Sequence, residues 1–321
     1  MASVIVTGIT GQDGSYLSER LIGDGWDVHA IVREEPHRFE QEVAAGVSVH
    51  RGDLLDSASL RATIDEVEPD LIINLAGISS VAQSWAQPEL TARVTGLAVS
   101  SLLAAAWDLQ ERLGRPVRFV QASSSEIFGA ATELPQTERT PIAPISPYGA
   151  AKAYAHHLVG VYRGRGLFAA SAILYNHESP RRPETFVTRK ITQEVARIAK
   201  GASKELLLGN LDARRDWGWA PDYVDALVRI AQADLADDFI VATGVDHSVR
   251  DFVAAAFAAV GVTEWEHLVA LDPRFARPVD APVMLGDSNK LRTTLGWIPT
   301  HSFDEIVAAM VTHDQALLEV P

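Results

Sequence analysis

The chain has 321 residues, 47% of them hydrophobic, enough to bury a large core as one large domain or two unequal ones. It contains no cysteine, which excludes disulfides, thiolate metal sites and a cysteine nucleophile and fits a reducing, cytoplasmic setting. A formal net charge of -14 argues against nucleic acid as a partner, because phosphate-backbone binding needs a basic patch.

Met1-Ala2-Ser3 leads into an apolar segment without the basic start of a signal peptide. Ser3–Thr7 reads as a buried strand, followed by a helix to about Ile22 that Gly23 and Gly25 end. Further strands are predicted at Asp27–Val32, Val47–His50, Leu71–Asn74 and Val117–Ala122, with helical patterns at Ser57–Val67 and Pro88–Leu113. The longest weakly polar run, around Gly96–Trp107, holds several serines and is too short to span a bilayer, so no membrane partner is expected. Ser146 as N-cap and Pro147 at the first helical position start another helix, expected to reach about Arg163, and Phe168–Leu174 is a sixth strand.

Beyond Asn176 the pattern loosens. Helices are expected at Phe186–Lys200, Asp222–Asp234, Ser248–Val260, Ser288–Leu295 and Ser302–Leu318, with capping boxes at Ser248/Asp251 and Ser302/Glu305 and only two or three strands among them. Strand–helix alternation implies a doubly wound α/β fold with a parallel, Rossmann-type sheet over residues 1–176. Residues 177–321 are expected to form a smaller, mostly helical substrate lobe that returns an element to the first part.

Three features carry chemistry. First, Gly8, Gly11 and Gly14 follow the first strand at intervals of three and open a helix, within Thr7-Gly8-Ile9-Thr10-Gly11-Gln12-Asp13-Gly14. Such glycines allow a tight turn, close approach of a pyrophosphate, and helix–strand packing, so a nicotinamide dinucleotide is the expected cofactor. At the end of the second strand Arg33 favours NADP, whereas Glu34 and Glu35 keep NAD open; Asp53, after the third strand, is placed to meet adenine or to serve as a turn aspartate.

Second, Tyr148 and Lys152 lie four apart on one helix face, where a nearby ammonium is expected to lower the tyrosine pKa and make Tyr148 a base. Third, the fifth strand ends in Ser123-Ser124-Ser125-Glu126, at the edge where such sheets bind ligands. Ser124 would hydrogen-bond a reacting hydroxyl. Glu126 adds a second proton-transfer group, suited to abstraction beside a new carbonyl. His156 and His157 are adjacent, face different directions on a helix and do not propose a metal site.

These residues resemble the extended short-chain dehydrogenase/reductases and, within them, the GDP-mannose 4,6-dehydratase family, along nearly the whole chain. The resemblance is strongest in the glycine loop, in Ser123–Gly129 and Ser146–Lys152, and further on in Asn176-His177-Glu178-Ser179-Pro180-Arg181-Arg182, Phe186-Val187-Thr188-Arg189-Lys190, Gly209–Ala213 and Arg215–Gly218. It implies oxidation at C4 of GDP-mannose with Tyr148 as base and Ser124 holding O4. Glu126 would then remove the C5 proton with loss of water from C6, and hydride would return to C6 to give GDP-4-keto-6-deoxymannose.

It further implies cofactor contacts from Arg33, Asp53, Leu54, Leu75, Ala76, Ser79, Tyr148, Lys152, His177 and Arg182, in addition to the loop. Nucleotide-sugar contacts are implied for Ser79, Asn176, Lys190, Arg215 and Arg277, and a homodimer or homotetramer for the assembly. The chain departs from the family where Arg33-Glu34-Glu35 replaces Arg-Arg-Ser, Ala76-Gly77-Ile78-Ser79 replaces Ala-Ala-Gln-Ser, and Asp280 stands for a glutamate. Glu126 favours dehydration over C4 epimerisation, which needs no base at C5. A dehydratase or epimerase acting on another nucleotide-sugar is the alternative. A non-catalytic dinucleotide sensor is remote, since Ser124, Glu126, Tyr148 and Lys152 are all intact.

Overall fold

The computed structural model describes residues 1–33, 44–275 and 279–319. In chain order the first elements are β1 (Ser3–Thr7), α1 (Gln12–Gly23), β2 (Asp27–Val32), β3 (Ser48–Arg51), α2 (Ser57–Val67), β4 (Leu71–Asn74) and α3 (Val81–Ala86). Next come α4 (Pro88–Thr91), a π-helical stretch (Ala92–Leu97) and α5 (Ala98–Leu113), then β5 (Arg118–Ser124), α6 (Pro147–Arg165) and β6 (Phe168–Leu174). The remainder comprises β7 (Asn176–Glu178), α7 (Val187–Ala199), β8 (Leu206–Leu208), β9 (Arg214–Trp219), α8 (Ala220–Gln232) and β10 (Asp238–Val241). It continues through β11 (Asp246–Ser248), α9 (Val249–Ala259), β12 (Val269–Leu271), β13 (Val283–Met284), α10 (Asn289–Leu295) and α11 (Phe303–Leu317).

Seven parallel strands form one sheet in the order β10-β6-β5-β4-β1-β2-β3. The order reverses between β1 and β4, and the carboxyl ends of those strands bound the crevice where a doubly wound sheet takes its ligand. Apolar residues coat both faces. On one, α1 and α8 cover the sheet through Leu17, Leu21, Val224, Leu227 and Val228; on the other, α2, α5 and α6 cover it through Leu60, Ile64, Leu102, Leu103, Leu109 and Val159. Each such side chain contributes about 1.5–3 kcal/mol by leaving water.

The sequence pattern predicts two or three strands from Asn176 onward; seven form among the described residues. They are two to six residues long, too short to show alternation. β10 returns to the large sheet beside β6, and α8 returns to its face. The others build a sheet around β9, which pairs with β7, β11 and β13, and a two-stranded pair, β8 and β12. A third core, centred on Val195, Leu206, Phe252, Phe257, Val307 and Met310, joins α7, α9 and α11. Both expected capping boxes form.

The apolar run around Gly96–Trp107 belongs to a continuous 26-residue helix, Pro88–Leu113, which by length and composition alone is long enough to cross a membrane. Its residues Val99, Leu102, Leu103, Ala106 and Leu109 pack into the core beneath the sheet instead. The π-helical turn in this helix has a local purpose. It brings Thr95 under the loop that follows β4, where its hydroxyl accepts the Ile78 amide at 2.9 Å.

Candidate active site

The glycine loop closes β1 onto α1. Gly8 has φ +75° and its carbonyl oxygen is so near Gly14 that a Cβ there would collide with it. Bulkier residues at these points would push the helix start away from the strand, and a phosphate-sized approach to the α1 amides depends on that closeness. At the neighbouring strand ends, Thr7 Oγ1 donates to Asn74 Oδ1 at 2.5 Å and Asn74 Nδ2 donates to Gln121 Oε1 at 2.8 Å. These buried side chains tie β1, β4 and β5 together at the carboxyl edge.

Ser124 is the last residue of β5, and a short 3-10 turn carries Glu126 just beyond it. Ser146 caps α6 by accepting the Gly149 amide at 3.0 Å, which aims the first turns of α6 at the strand end. Tyr148 and Lys152 therefore face the same opening, both buried, and the Tyr148 hydroxyl hydrogen-bonds Ser124. The expected lowering of the tyrosine pKa is not what this geometry gives. Burial pushes Tyr148 up to about 12, against the Ser124 hydrogen bond and with Glu126 adding to the rise. The Lys152 ammonium points instead at the Ala122 carbonyl, 2.7 Å away, and burial lowers Lys152 to about 8.

A second set of groups comes from the segment after β6. His177 Nε2 lies 2.9 Å and 3.0 Å from the two carboxylate oxygens of Asp13, and its Nδ1 lies 2.7 Å from the Tyr175 carbonyl. Gln12 reinforces the link, donating to the His177 carbonyl and accepting from Ser179 Oγ. Glu178, buried, accepts from Thr188 Oγ1 at 2.7 Å and pairs with Arg182 at 3.2 Å, while the Arg182 guanidinium stacks on Phe186. Burial raises the Glu178 pKa despite the Arg182 charge.

One cleft of about 1600 Å³ gathers these groups. The loop residues Gly8, Ile9, Thr10, Gly11, Gln12, Asp13 and Gly14 line it, as do Arg33, Asp53, Leu54, Leu75, Ala76 and Ser79. Ser124, Glu126, Tyr148, Lys152, Asn176, His177, Arg182, Lys190 and Arg215 line it too. Arg277, Glu34 and Glu35 lie outside the described residues.

Two assignments sharpen. Asp53 spends one oxygen on the Leu55 amide at 2.9 Å, so it is a turn aspartate as well as a wall of the cleft. Arg215 is buried and already bound to Asp280 at 2.6 Å and to the Ala281 carbonyl at 2.9 Å. Glu178, Thr188, Trp217 and Phe275, to which the sequence assigns no role, also line the cleft, as does Asp280. Glu178 and Thr188 sit inside motifs quoted above, next to His177 and two residues from Lys190.

The chain matches the family model described as GDP-mannose 4,6 dehydratase over residues 5–310. It belongs to the GDP-mannose 4,6-dehydratase family. Among relatives in this family it is 43% identical to GDP-mannose 4,6 dehydratase 2 of Arabidopsis thaliana, covering 98% of this chain and 87% of that one. It is 42% identical to the GDP-mannose 4,6 dehydratase of Homo sapiens, covering 98% and 91%. Among solved structures, UDP-glucose 4-epimerase from Thermus thermophilus in complex with NAD superposes with a TM-score of 0.84 at 26% identity, covering 98% of this chain and 99% of that one. RMD from Pseudomonas aeruginosa complexed with NADPH shares the fold, with a TM-score of 0.78 at 23% identity and coverage of 98% and 100%. The GDP-mannose 4,6-dehydratase relatives are thus matched across both the Rossmann-type sheet and the part that follows it.

Proposed function

We propose that this enzyme converts GDP-mannose to GDP-4-keto-6-deoxymannose with NADP as a cofactor that ends each turnover unchanged. The observation that carries the reading is the meeting of Ser124, Glu126, Tyr148 and Lys152 in the cleft that the glycine loop opens. The cleft fits a dinucleotide because the glycines at 8 and 14, where a Cβ would strike neighbouring backbone, let the start of α1 pack close to the strand ends, so that its amides face the cleft. Bound NADP supplies the redox chemistry, keeping the electron pair taken from C4 until it is returned at C6.

The chain's own residues move the protons. Tyr148, as the tyrosinate, takes the proton of the C4 hydroxyl, while the Ser124 hydroxyl donates to O4. Lys152, near the Tyr148 ring, would stabilise the tyrosinate by its charge and would help hold the dinucleotide. The 4-ketone acidifies C5, Glu126 removes that proton, and the same carboxyl delivers it to the departing C6 hydroxyl as water; when hydride returns to C6, a solvent-exchanged proton is added at C5, and Tyr148 gives up the C4 hydroxyl proton to solvent. His177 and Arg182 serve the dinucleotide side. Asn176, Lys190, Arg215 and Arg277 serve the nucleotide-sugar, with Ser79 between them. Residues 1–176 with the returning α8 and β10 form the dinucleotide-binding part, the other residues form the sugar-nucleotide lobe, and the active species is a homo-oligomer.

The test is incubation with GDP-mannose and a panel of other nucleotide-sugars in deuterated water. The reading expects a 4-keto-6-deoxy product from GDP-mannose carrying deuterium at C5. An untouched GDP-mannose beside turnover of another sugar would overturn the substrate assignment.

A further inference from the structure

The glycine loop contains an acidic residue where anions bind. Asp13 is the second residue of α1, lines the cleft, and sits among the amides that a dinucleotide pyrophosphate would approach. A bare carboxylate there would repel the phosphates. Its partner is His177, and the partner's protonation follows from geometry. Nδ1 faces the Tyr175 carbonyl at 2.7 Å and Nε2 faces both Asp13 oxygens at 2.9 Å and 3.0 Å. A carbonyl and a carboxylate only accept, so both ring nitrogens must donate and the ring is an imidazolium.

With both N–H groups committed, His177 has none left for a ligand. It can act on the cofactor only through its charge.

We propose that His177 is a fixed imidazolium whose role is to cancel the charge of Asp13, so that the glycine loop presents no net negative charge to the dinucleotide phosphates. The inference rests on the cleft being a dinucleotide site. The surroundings hold the ring in place. Tyr223 from α8 stacks on it at 4.4 Å, and Gln12 donates to its backbone carbonyl at 3.1 Å. The other ionisable groups near the pair are Glu178 and Arg182 on its own segment, Tyr148 and Lys152 from α6, and the stacked Tyr223. Burial works against the imidazolium, but the Asp13 charge and hydrogen bonds outweigh it and hold its pKa above the ordinary 6.5. Asp13 in turn stays ionised, because His177 and Arg182 overcome its burial. Dinucleotide affinity should therefore fall as pH rises through the raised His177 value.

The experiment is a double-mutant cycle on the full chain, read as the Kd for NADPH by fluorescence alongside thermal melting. His177→Gln leaves Asp13 uncompensated and should weaken binding at least about tenfold, the scale of one unpaired charged partner. Asp13→Asn should lose the alkaline decline, and it supplies the background in which the charge of His177 no longer matters. The double variant D13N/H177Q should recover to within about threefold of Asp13→Asn, because the local charge is again zero. A double variant as weak as His177→Gln overturns the inference, since His177 would then be needed for itself. If a variant fails to fold, ¹⁵N imidazole shifts of the parent decide: two protonated nitrogens at neutral pH support the inference and a neutral tautomer overturns it. A parent chain that binds no dinucleotide would instead overturn the reading of the cleft.

Discussion

Lys152 donates its ammonium to the Ala122 carbonyl at 2.7 Å, and the same oxygen accepts from Gln121 Nε2 at 2.9 Å. The lysine is thereby fastened to the end of β5 and lies 5.8 Å from the Tyr148 ring centroid. A shared helix face places the two residues side by side but does not set where the ammonium points. A buried carbonyl is a strong local acceptor, and burial then decides both pKa values.

That arrangement predicts a pH effect with a definite sign. Lys152 falls from 10.5 to about 8 on folding, so the unfolded chain binds more protons between those values. This group's contribution to stability should rise across that window. Thermal melts of the parent and of Lys152→Met should converge or cross in the parent's favour as pH climbs from about 8 to about 10.5. A parent that loses ground to the variant over that range would contradict the buried, depressed lysine. Tyrosinate absorbance of the cofactor-free chain should likewise place Tyr148 near 12.

In the proposed mechanism Glu126 is the group that distinguishes elimination from simple alcohol oxidation. Replacing it by glutamine keeps the shape and removes the base. The 4-keto-6-deoxy product should fall by about 10²–10⁴-fold, the usual worth of a positioned acid–base group. Oxidation at C4 needs Tyr148 and not Glu126, so reduced dinucleotide should accumulate in a single turnover. Loss of both signals together would mean that Glu126 acts before elimination.

Much of this was legible in the residues, for physical reasons. β1, β4 and β6 are buried on both faces and read as mainly apolar runs, and the Ser146-Pro147 start of α6 is a local signal that needs no tertiary context. The cleft residues were legible because the strand ends at Thr7 and Ser124 carry polar side chains where an apolar run stops. The strands after Asn176 were not. β8, β11 and β13 have three, three and two residues, and β9 gathers partners from both directions along the chain. Nor could the pattern give Ala122 as the partner of Lys152, or Asp280 and Ala281 as partners of Arg215, since each is distant in sequence.

Arg33 ends at the mouth of the cleft, exposed beside Val32 at the end of β2. A guanidinium there suits a 2′-phosphate bidentately. Arg33→Ala should reduce the preference for NADP over NAD by about tenfold or more, with little change in NAD affinity, the loss of one charged hydrogen-bonded pair. Equal affinities for both cofactors in parent and variant would remove Arg33 from cofactor selection.

Lys190 has an unusual neighbour. Its Nζ lies 3.1 Å from the Phe275 ring centroid and has no hydrogen-bond acceptor among the described residues. Burial lowers its pKa, with the Asp272 charge working the other way. An anionic nucleotide-sugar would supply the missing acceptors. Lys190→Met should raise KM for the nucleotide-sugar by about 10–100-fold, as for a lost hydrogen bond to a charged group. The Kd for NADPH should stay within about twofold, because the role proposed for Lys190 is toward the nucleotide-sugar.

Arg189, between the cleft residues Thr188 and Lys190, faces the other way. Its Nη2 meets Asp314 Oδ1 of α11 at 2.7 Å with both side chains nearly inaccessible, and its Nη1 donates to the Pro180 carbonyl. Thr192 adds a 2.6 Å hydrogen bond to the same carboxylate. The pair thus locks α7, α11 and the segment leading out of the dinucleotide site. Arg189→Met should cost about 3–5 kcal/mol in denaturant unfolding, because it strands a buried carboxylate. The sign of its pH dependence is fixed. Burial already raises the Asp314 pKa against Thr192 and Arg189, and losing Arg189 raises it further. A carboxyl with a raised folded pKa stabilises the fold when protonated, so the deficit should shrink as pH falls and Asp314 takes up its proton. The double variant R189M/D314L should recover most of the loss, since two apolar groups leave no unpaired charge. A deficit that is independent of pH and unrelieved in the double variant would place the cost of Arg189→Met in lost packing rather than in the stranded charge.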